Sequence, residues 1–292
     1  MAASKLLPEL VVGASADRQA NAYSCLGTAR FMTGDLSGAA AAFEIAEQLA
    51  REATSSTQAV VLLRSSSMVL AEARFEVAET ILEKALGLAS ISPSGALIGR
   101  IQIKRGNVAF RRGDFAIAAE HFGSAIDALP AKHYLLPVAA WNLMLAAYHL
   151  DSRQARSVLR FMKHHDLRCR RQVAKRLKKT VPACMICWAE GYLFGKLGNQ
   201  RHAVRCLAWA ANTLFELGAA REAALCALDL VSFEAGGFGK VFPIISALAA
   251  DPATPALTRD AARLWLVSTG TDRGETLRNL LLHGKKAGVA SD

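Results

Sequence analysis

The chain has 292 residues, of which 52% are hydrophobic, and this excludes a wholly disordered protein because a sizeable apolar core can be buried. No apolar run reaches the ~18 residues that a membrane span needs, and the alanine-rich composition favours helices throughout. The net charge of +10 comes from residues 153–179 alone, which carry eleven Lys or Arg and one acid, Asp166.

A repeated frame of small and apolar residues predicts helical hairpins along most of the chain. The frame reads LGTARFMTGDLSGAAAAFEIA at 26–46 and RGNVAFRRGDFAIAAEHFGSA at 105–125. Each copy has an early Gly, a Gly-Asp turn, and then Ala, Phe and Ala spaced by four and three residues. The frame also fits EGYLFGKLGNQRHAVRCLAWA at 190–210 and, more weakly, the residues around Ala78 and Ala155.

This spacing has a physical explanation. The early Gly lets two helices cross closely, and the Gly of the turn accepts the left-handed conformation that ends a helix. The Asp or Asn that follows can cap the next helix. The Ala, Phe or Leu, and Ala give that helix one apolar stripe, which a single hairpin cannot bury, so we expect the hairpins to stack.

The frame resembles the tetratricopeptide repeat, in the long-repeat variety found in tails and sensor domains of bacterial regulators. Its Ala landmarks lie 37 to 48 residues apart, whereas the usual period of the family is ~34. The resemblance implies an all-α fold, a right-handed superhelical solenoid of antiparallel helix pairs with about five to six repeats and C-terminal capping helices. HEAT-like stacking is the competing architecture, and the Gly-Asp turns favour the tetratricopeptide repeat.

The predicted organisation follows from this frame. It has a lead-in over 1–18, repeats over 19–215, a helical pair with capping helices over 216–284, and a disordered tail over 285–292. A basic connector at 164–181 accounts for the longest interval between landmarks.

The resemblance also implies a binding groove, because the first helix of each hairpin lines the inner surface in this family. Asn and Lys or Arg side chains in such grooves can hold the terminal carboxylate of a peptide. Ser24 and Thr28 stand at the corresponding places of the first repeat, so a complete carboxylate clamp is absent. We therefore expect a scaffold that binds another protein or peptide, with an acidic partner. The predicted groove residues are Arg100, Lys104, Asn107, Arg111, Asn142, Tyr192 and Lys196.

The basic connector supports an alternative function. It is interpreted as a solvated connecting helix, as a contact for an acidic protein, or as a salt-sensitive contact for nucleic acid. The alternative is a sensor or regulatory module of a bacterial transcription regulator that contacts nucleic acid through 153–179. No aromatic residue interleaves the charges of 168–179, which argues against a stacking platform for single strands. The predicted basic surface comprises Arg168, Arg170, Arg171, Lys175, Arg176, Lys178 and Lys179.

The pair Cys184-x-x-Cys187 is the candidate for metal chemistry. His164, His165 and Cys169 are the nearest residues that could complete a zinc site. Since the pair lies on a predicted helix, the favoured interpretation is two small core residues, and thiol redox chemistry is the third alternative. The sequence thus predicts no metal site and no cofactor.

The sequence predicts no enzyme and no export. It contains no G-x-x-x-x-G-K-[ST], H-E-x-x-H or G-x-S-x-G motif. No signal peptide is visible, and a helical chain of this size needs no disulfides, so we expect a cytoplasmic protein with reduced thiols and no membrane partner.

Overall fold

The structure is a computed structural model of the chain. It describes residues 13–167, 180–233 and 238–250, together with 259, 262 and 263. Within these residues it has twelve α-helices and no strand, which confirms the all-α fold class. No helix in the described residues is long and apolar enough to cross a membrane.

The chain divides into two compact units, with the boundary between Ala139 and Ala140. The first unit holds three helical hairpins. Their helices are α1 (Ala16–Met32), α2 (Leu36–Ala50), α3 (Ser55–Ala71), α4 (Phe75–Ile91), α5 (Gly95–Arg112) and α6 (Phe115–Ala128).

The hairpins of the first unit pack against one another in chain order. Each first helix packs along its own second helix, α2 contacts α3, and α4 contacts α5. The first helices α1, α3 and α5 also contact each other in sequence. In each of the three hairpins the apolar stripe on the second helix is buried, as the frame predicts. The stripe residues are Ala39, Phe43 and Ala46 on α2, Ala78, Leu82 and Ala85 on α4, and Ala118, Phe122 and Ala125 on α6.

The early Gly of the frame lies where the two helices of a hairpin cross. A Cβ atom placed on Gly106 would lie 2.5 Å from Cε1 of Phe122, and one on Gly27 would lie 2.9 Å from the Phe43 ring. Such separations are too short for any real Cβ atom. The Gly and the Phe of one repeat are therefore complementary in size.

The turn glycines adopt the predicted left-handed conformation, with φ of 84° at Gly34, 92° at Gly113 and 79° at Gly198. Asp35 then caps α2, since its carboxylate accepts a hydrogen bond from the backbone N–H of Gly38 at 2.9 Å. The prediction that a turn Gly precedes a helix cap is thus confirmed for the first repeat.

The same prediction is wrong for the second clear copy of the frame. Asp114 stands at the N-cap of α6, yet its side chain makes no capping hydrogen bond. Its carboxylate instead pairs with Nε of Arg112. The Gly-Asp pattern alone does not reveal this partner of the Asp114 carboxylate.

The remaining helices begin at the end of the first unit and continue through the second. They are α7 (Leu136–His149), α8 (Ser152–His164), α9 (Val181–Lys196), α10 (Gln200–Glu216), α11 (Ala220–Phe233) and α12 (Phe238–Ala250). Helix α9 packs on α10, α10 on α11, and α11 on α12, and α9 also contacts α11.

The connector was predicted to run from 164 to 181, and α8 ends at His164 while α9 begins at Val181. Residues 168–179, which carry the seven residues of the predicted basic surface, lie outside the described residues. So do 1–12 of the predicted lead-in, most of the predicted capping helices after residue 250, and the whole predicted tail.

Candidate partner-binding site

A basic pocket opens on the first helices of the first unit, with a volume of about 220 Å³. Helix α5 supplies three of the seven predicted groove residues, Arg100, Lys104 and Asn107. Their spacing of four and three residues places them on one face of the helix. The other lining residues are Thr28 of α1, Leu63, Arg64 and Ser67 of α3, Ile103 of α5, and Leu135. We call this site the basic pocket.

The charge of the basic pocket is uncompensated among its own lining residues. Three of them are cationic and none is acidic. Within the described residues no carboxylate lies at ion-pair distance from Arg64, Arg100 or Lys104. Burial lowers the pKa of Lys104, and the nearby charge of Arg100 lowers it further. An anionic group entering the pocket would relieve this repulsion.

Arg64 is held in place by the first repeat. Its guanidinium donates a hydrogen bond to Oγ of Ser24 at 2.6 Å. The Ser24 hydroxyl is fully buried and donates to the carbonyl of Asn21 at 3.0 Å, while Thr28 donates to the Ser24 carbonyl at 2.9 Å. Ser24 of the first hairpin thus positions a cation from the second hairpin.

The sequence prediction of the groove omitted Arg64. One signal could have identified it, because Arg64 is the only charged residue of α3, whose sequence is SSTQAVVLLRSSSMVLA. A single cation on an otherwise uncharged helix indicates a specific role for that side chain. The prediction did not include Arg64 because it followed the landmarks of the clearest repeats, whereas α3 belongs to a weak copy of the frame.

Arg111 is not among the residues that line the pocket. It donates a hydrogen bond to the carbonyl of Leu70 at 2.7 Å, and its guanidinium lies 5.8 Å from the centroid of the Phe75 ring. The positive charge therefore lies at the C-terminal end of α3, where it complements the helix dipole. The structure gives Arg111 a packing role between neighbouring hairpins.

The other three predicted groove residues belong to the second unit. Lys196 donates hydrogen bonds to the carbonyls of Tyr148 and Leu150, the latter at 2.7 Å. Tyr192 packs on Tyr148, with ring centroids 4.8 Å apart. Asn142 is half-buried on α7. Lys196 thus caps the end of α7 much as Arg111 caps the end of α3.

The cations of residues 153–163 form a stripe on α8. Its cations recur every three or four residues and all are exposed, while the opposite face of α8 is buried. The exposed cations are Arg153, Arg156, Arg160 and Lys163, and the buried residues are Ala155, Leu159 and Met162. We call these four cations the α8 stripe.

Cys184 and Cys187 lie on α9 and are both fully buried, as expected for core residues. Within the described residues they do not belong to the group of side chains that could hold a metal ion, which consists of Glu190, His202 and Cys206. The sequence contains a signal for this group, because His202 and Cys206 are four residues apart, a spacing that puts two ligands on one face of a helix.

The chain was also compared with known proteins. No model of a known protein family matches it, and a search of curated proteins found no match either.

Proposed function

We propose that this protein is a non-enzymatic helical-repeat scaffold that binds an acidic segment of a partner protein or peptide. In this proposal the hairpins form a tetratricopeptide-like solenoid, and the basic pocket anchors one anionic group of the partner. The observation that carries the proposal is the convergence of Arg64, Arg100 and Lys104 without an acidic lining residue.

The size of the basic pocket supports an anchor for a single group. Its volume of about 220 Å³ is below the ~300–1,000 Å³ of sites that enclose a whole small-molecule ligand. An acidic side chain or a chain terminus would fit, with the rest of the segment lying along the first helices. Leu63, Ile103 and Leu135 supply apolar surface beside the charges, so water can be excluded around the anion.

The energetics also favour an anion at this site. Lys104 and Arg100 are half-buried, and their like charges oppose each other. A hydrogen bond to a charged group contributes about 1.5–3 kcal/mol when both partners are well placed. Arg64 is already held by Ser24, which lowers the entropic cost of ordering it on binding.

Charge reversal in the basic pocket is expected to weaken the binding of an acidic peptide. The probe is a fluorescein-labelled oligoglutamate, compared with an oligoglutamine of equal length by fluorescence anisotropy. We expect the wild type to bind the acidic peptide only. Arg100→Glu combined with Lys104→Glu should weaken binding by at least about 100-fold, since two attractions become repulsions and each 1.4 kcal/mol corresponds to a factor of ten.

The matched control is Arg18→Glu combined with Lys132→Glu. Both residues are exposed, lie in the first unit and do not line the pocket, and the pair changes the net charge equally. It should weaken binding by no more than about fivefold, because exposed charges contribute little. Equal losses in the two double variants would mean that net charge alone attracts the peptide, and the pocket assignment would then fail.

The α8 stripe favours a second candidate function, a regulatory module that contacts nucleic acid through residues 153–179. Four exposed cations on one face of a helix match the phosphate contacts that give salt-sensitive binding. A filter-binding titration of a duplex DNA fragment should show retention that falls steeply with salt. Arg156→Glu with Arg160→Glu should reduce retention at low salt, whereas Arg18→Glu with Lys132→Glu should not. No retention of DNA by the wild type at low salt would remove this candidate.

A further inference from the structure

We propose that Glu190, His202 and Cys206 form a binding site for a Zn²⁺ ion that links α9 to α10. The site lies in the second unit and is separate from the basic pocket. The inference therefore goes beyond the proposed function and does not depend on it.

The three side chains converge from two adjacent helices. Glu190 belongs to α9, whereas His202 and Cys206 lie one turn apart on α10. One potential ligand atom from each, a carboxylate oxygen, an imidazole nitrogen and the thiol sulfur, lies within 4.8 Å of the other two. Three donors from two packed helices thus lie close to one another.

The distance between the Glu190 and His202 donors matches a metal site better than a strong ion pair. Oε1 of Glu190 lies 3.4 Å from Nε2 of His202, whereas a charge-assisted hydrogen bond is typically about 2.7–2.9 Å long. Zinc–oxygen and zinc–nitrogen bonds of about 2.0–2.2 Å at a tetrahedral angle would separate these atoms by about 3.3–3.5 Å. The observed separation therefore equals one edge of a tetrahedral coordination shell. The sulfur of Cys206 would need to approach by at most about 1.2 Å to complete the other edges, because Zn–S bonds are about 2.3 Å.

The burial of the donors favours a bound cation. The side chain of Glu190 is fully buried and Cys206 is 2% exposed. A buried carboxylate needs hydrogen-bonding or cationic partners, and a metal ion would add positive charge to the contact that Glu190 already makes with His202. The His202 side chain is 33% exposed, so an ion has a path from solvent and water can supply a fourth ligand.

The chemistry of the donors selects the ion. One oxygen, one nitrogen and one sulfur suit a borderline ion such as Zn²⁺, or Co²⁺ as its spectroscopic substitute, and they do not suit Ca²⁺ or Mg²⁺, which prefer oxygen ligands. The ring of Phe194 lies against that of His202, with centroids 4.1 Å apart. This contact restrains the orientation of the imidazole toward Glu190.

The test is a titration of the full-length, reduced and metal-stripped protein with Co²⁺, followed by competition with Zn²⁺. We expect one ion per chain, a sulfur-to-cobalt charge-transfer band in the near ultraviolet, and the intense visible bands of tetrahedral cobalt. Zn²⁺ should abolish both signals and raise the Tm of the wild type, because the preformed site binds it more tightly than the unfolded chain does. Absence of a stoichiometric charge-transfer band in the wild type would overturn the proposal without recourse to any variant.

Variants identify the ligands. Cys206→Ser should remove the charge-transfer band. His202→Gln, at a partly exposed position, should weaken Co²⁺ binding by more than the loss of about 10–100-fold that typically follows mutation of an outer-shell partner. Cys184→Ala and Cys187→Ala are the matched controls, since both remove a buried thiol from α9, and both should keep the band. A band that survives Cys206→Ser but is lost in either control would assign the metal to the C-x-x-C pair and overturn the proposed ligand set.

Discussion

Phe122→Ala should lower the free energy of unfolding by about 3–5 kcal/mol. Phe122 is 1% exposed, and its ring occupies the space above Gly106, where the two helices of the third hairpin cross. Truncation to Ala removes the transfer free energy of the ring and leaves a cavity that close helix packing cannot fully collapse. Urea denaturation followed by far-UV circular dichroism measures the change.

The matched control for this substitution is Phe115→Ala. Phe115 lies on the same helix but is half-buried, with its ring edge against Phe110 at a centroid distance of 5.2 Å. Phe115→Ala should lower the free energy of unfolding clearly less than Phe122→Ala does. Similar losses for the two substitutions would show that the tight crossing at Gly106 contributes nothing special to stability.

A double-mutant cycle tests the size complementarity itself. Gly106→Ala alone should destabilise by about 1–3 kcal/mol, because its Cβ would lie 2.5 Å from the Phe122 ring. In the Phe122→Ala background the same change should be neutral or stabilising by up to about 1 kcal/mol, since the added methyl enters the cavity and Ala favours helix over Gly. Additive effects would refute the direct contact.

The frame of repeats could be predicted from the sequence because it rests on short-range rules. The size of a residue at a helix crossing, the left-handed turn glycine and the apolar stripe all act within about twenty residues of chain. The structure accordingly places Gly27 against Phe43 and Gly106 against Phe122. The frame does not specify which partner a polar side chain takes, since the carboxylate of Asp114 pairs with Arg112 and makes no capping hydrogen bond.

The candidate site could be predicted only in part, because its contacts join distant positions. Arg111 and Lys196 occupy equivalent places, each two residues before a turn glycine. Both donate hydrogen bonds to carbonyls at the end of the preceding first helix, over 41 residues for Arg111 and 46 or 48 for Lys196. The sequence indicates their helix but not their acceptors, so these contacts between neighbouring hairpins could not be predicted.

Arg64 is a residue of the basic pocket that the sequence prediction did not include. Its position in the basic pocket follows from contacts of α3 with α1 and α5, which no pattern within α3 specifies. The proposed metal ligands also depend on helix packing, because Glu190 lies near His202 and Cys206 only when α9 packs on α10. Sites assembled from several helices can therefore be predicted only when the packing of those helices is known, whereas the helices themselves can be predicted from the sequence.

Trp188→Phe is expected to destabilise the second unit by about 1.5–3 kcal/mol, the usual contribution of a hydrogen bond to a charged group. The indole N–H of Trp188 on α9 donates to Oδ2 of Asp229 on α11 at 2.6 Å. Both residues are almost fully buried, at 9% and 5% exposure. Phe retains most of the apolar surface but removes the donor, so the carboxylate of Asp229 loses a strong partner in a region of low dielectric.

The measurement is urea denaturation of Trp188→Phe beside Trp209→Phe, a matched control that makes the same chemical change at a half-buried position on α10. Trp209→Phe should cost less than about 1 kcal/mol. Adding Asp229→Leu to Trp188→Phe should cost less than Asp229→Leu does in the wild type, because the carboxylate has already lost its donor and its removal forfeits one hydrogen bond fewer. Strictly additive losses in this cycle would mean that the indole and the carboxylate do not stabilise each other, and the contact between α9 and α11 would then depend on apolar packing alone.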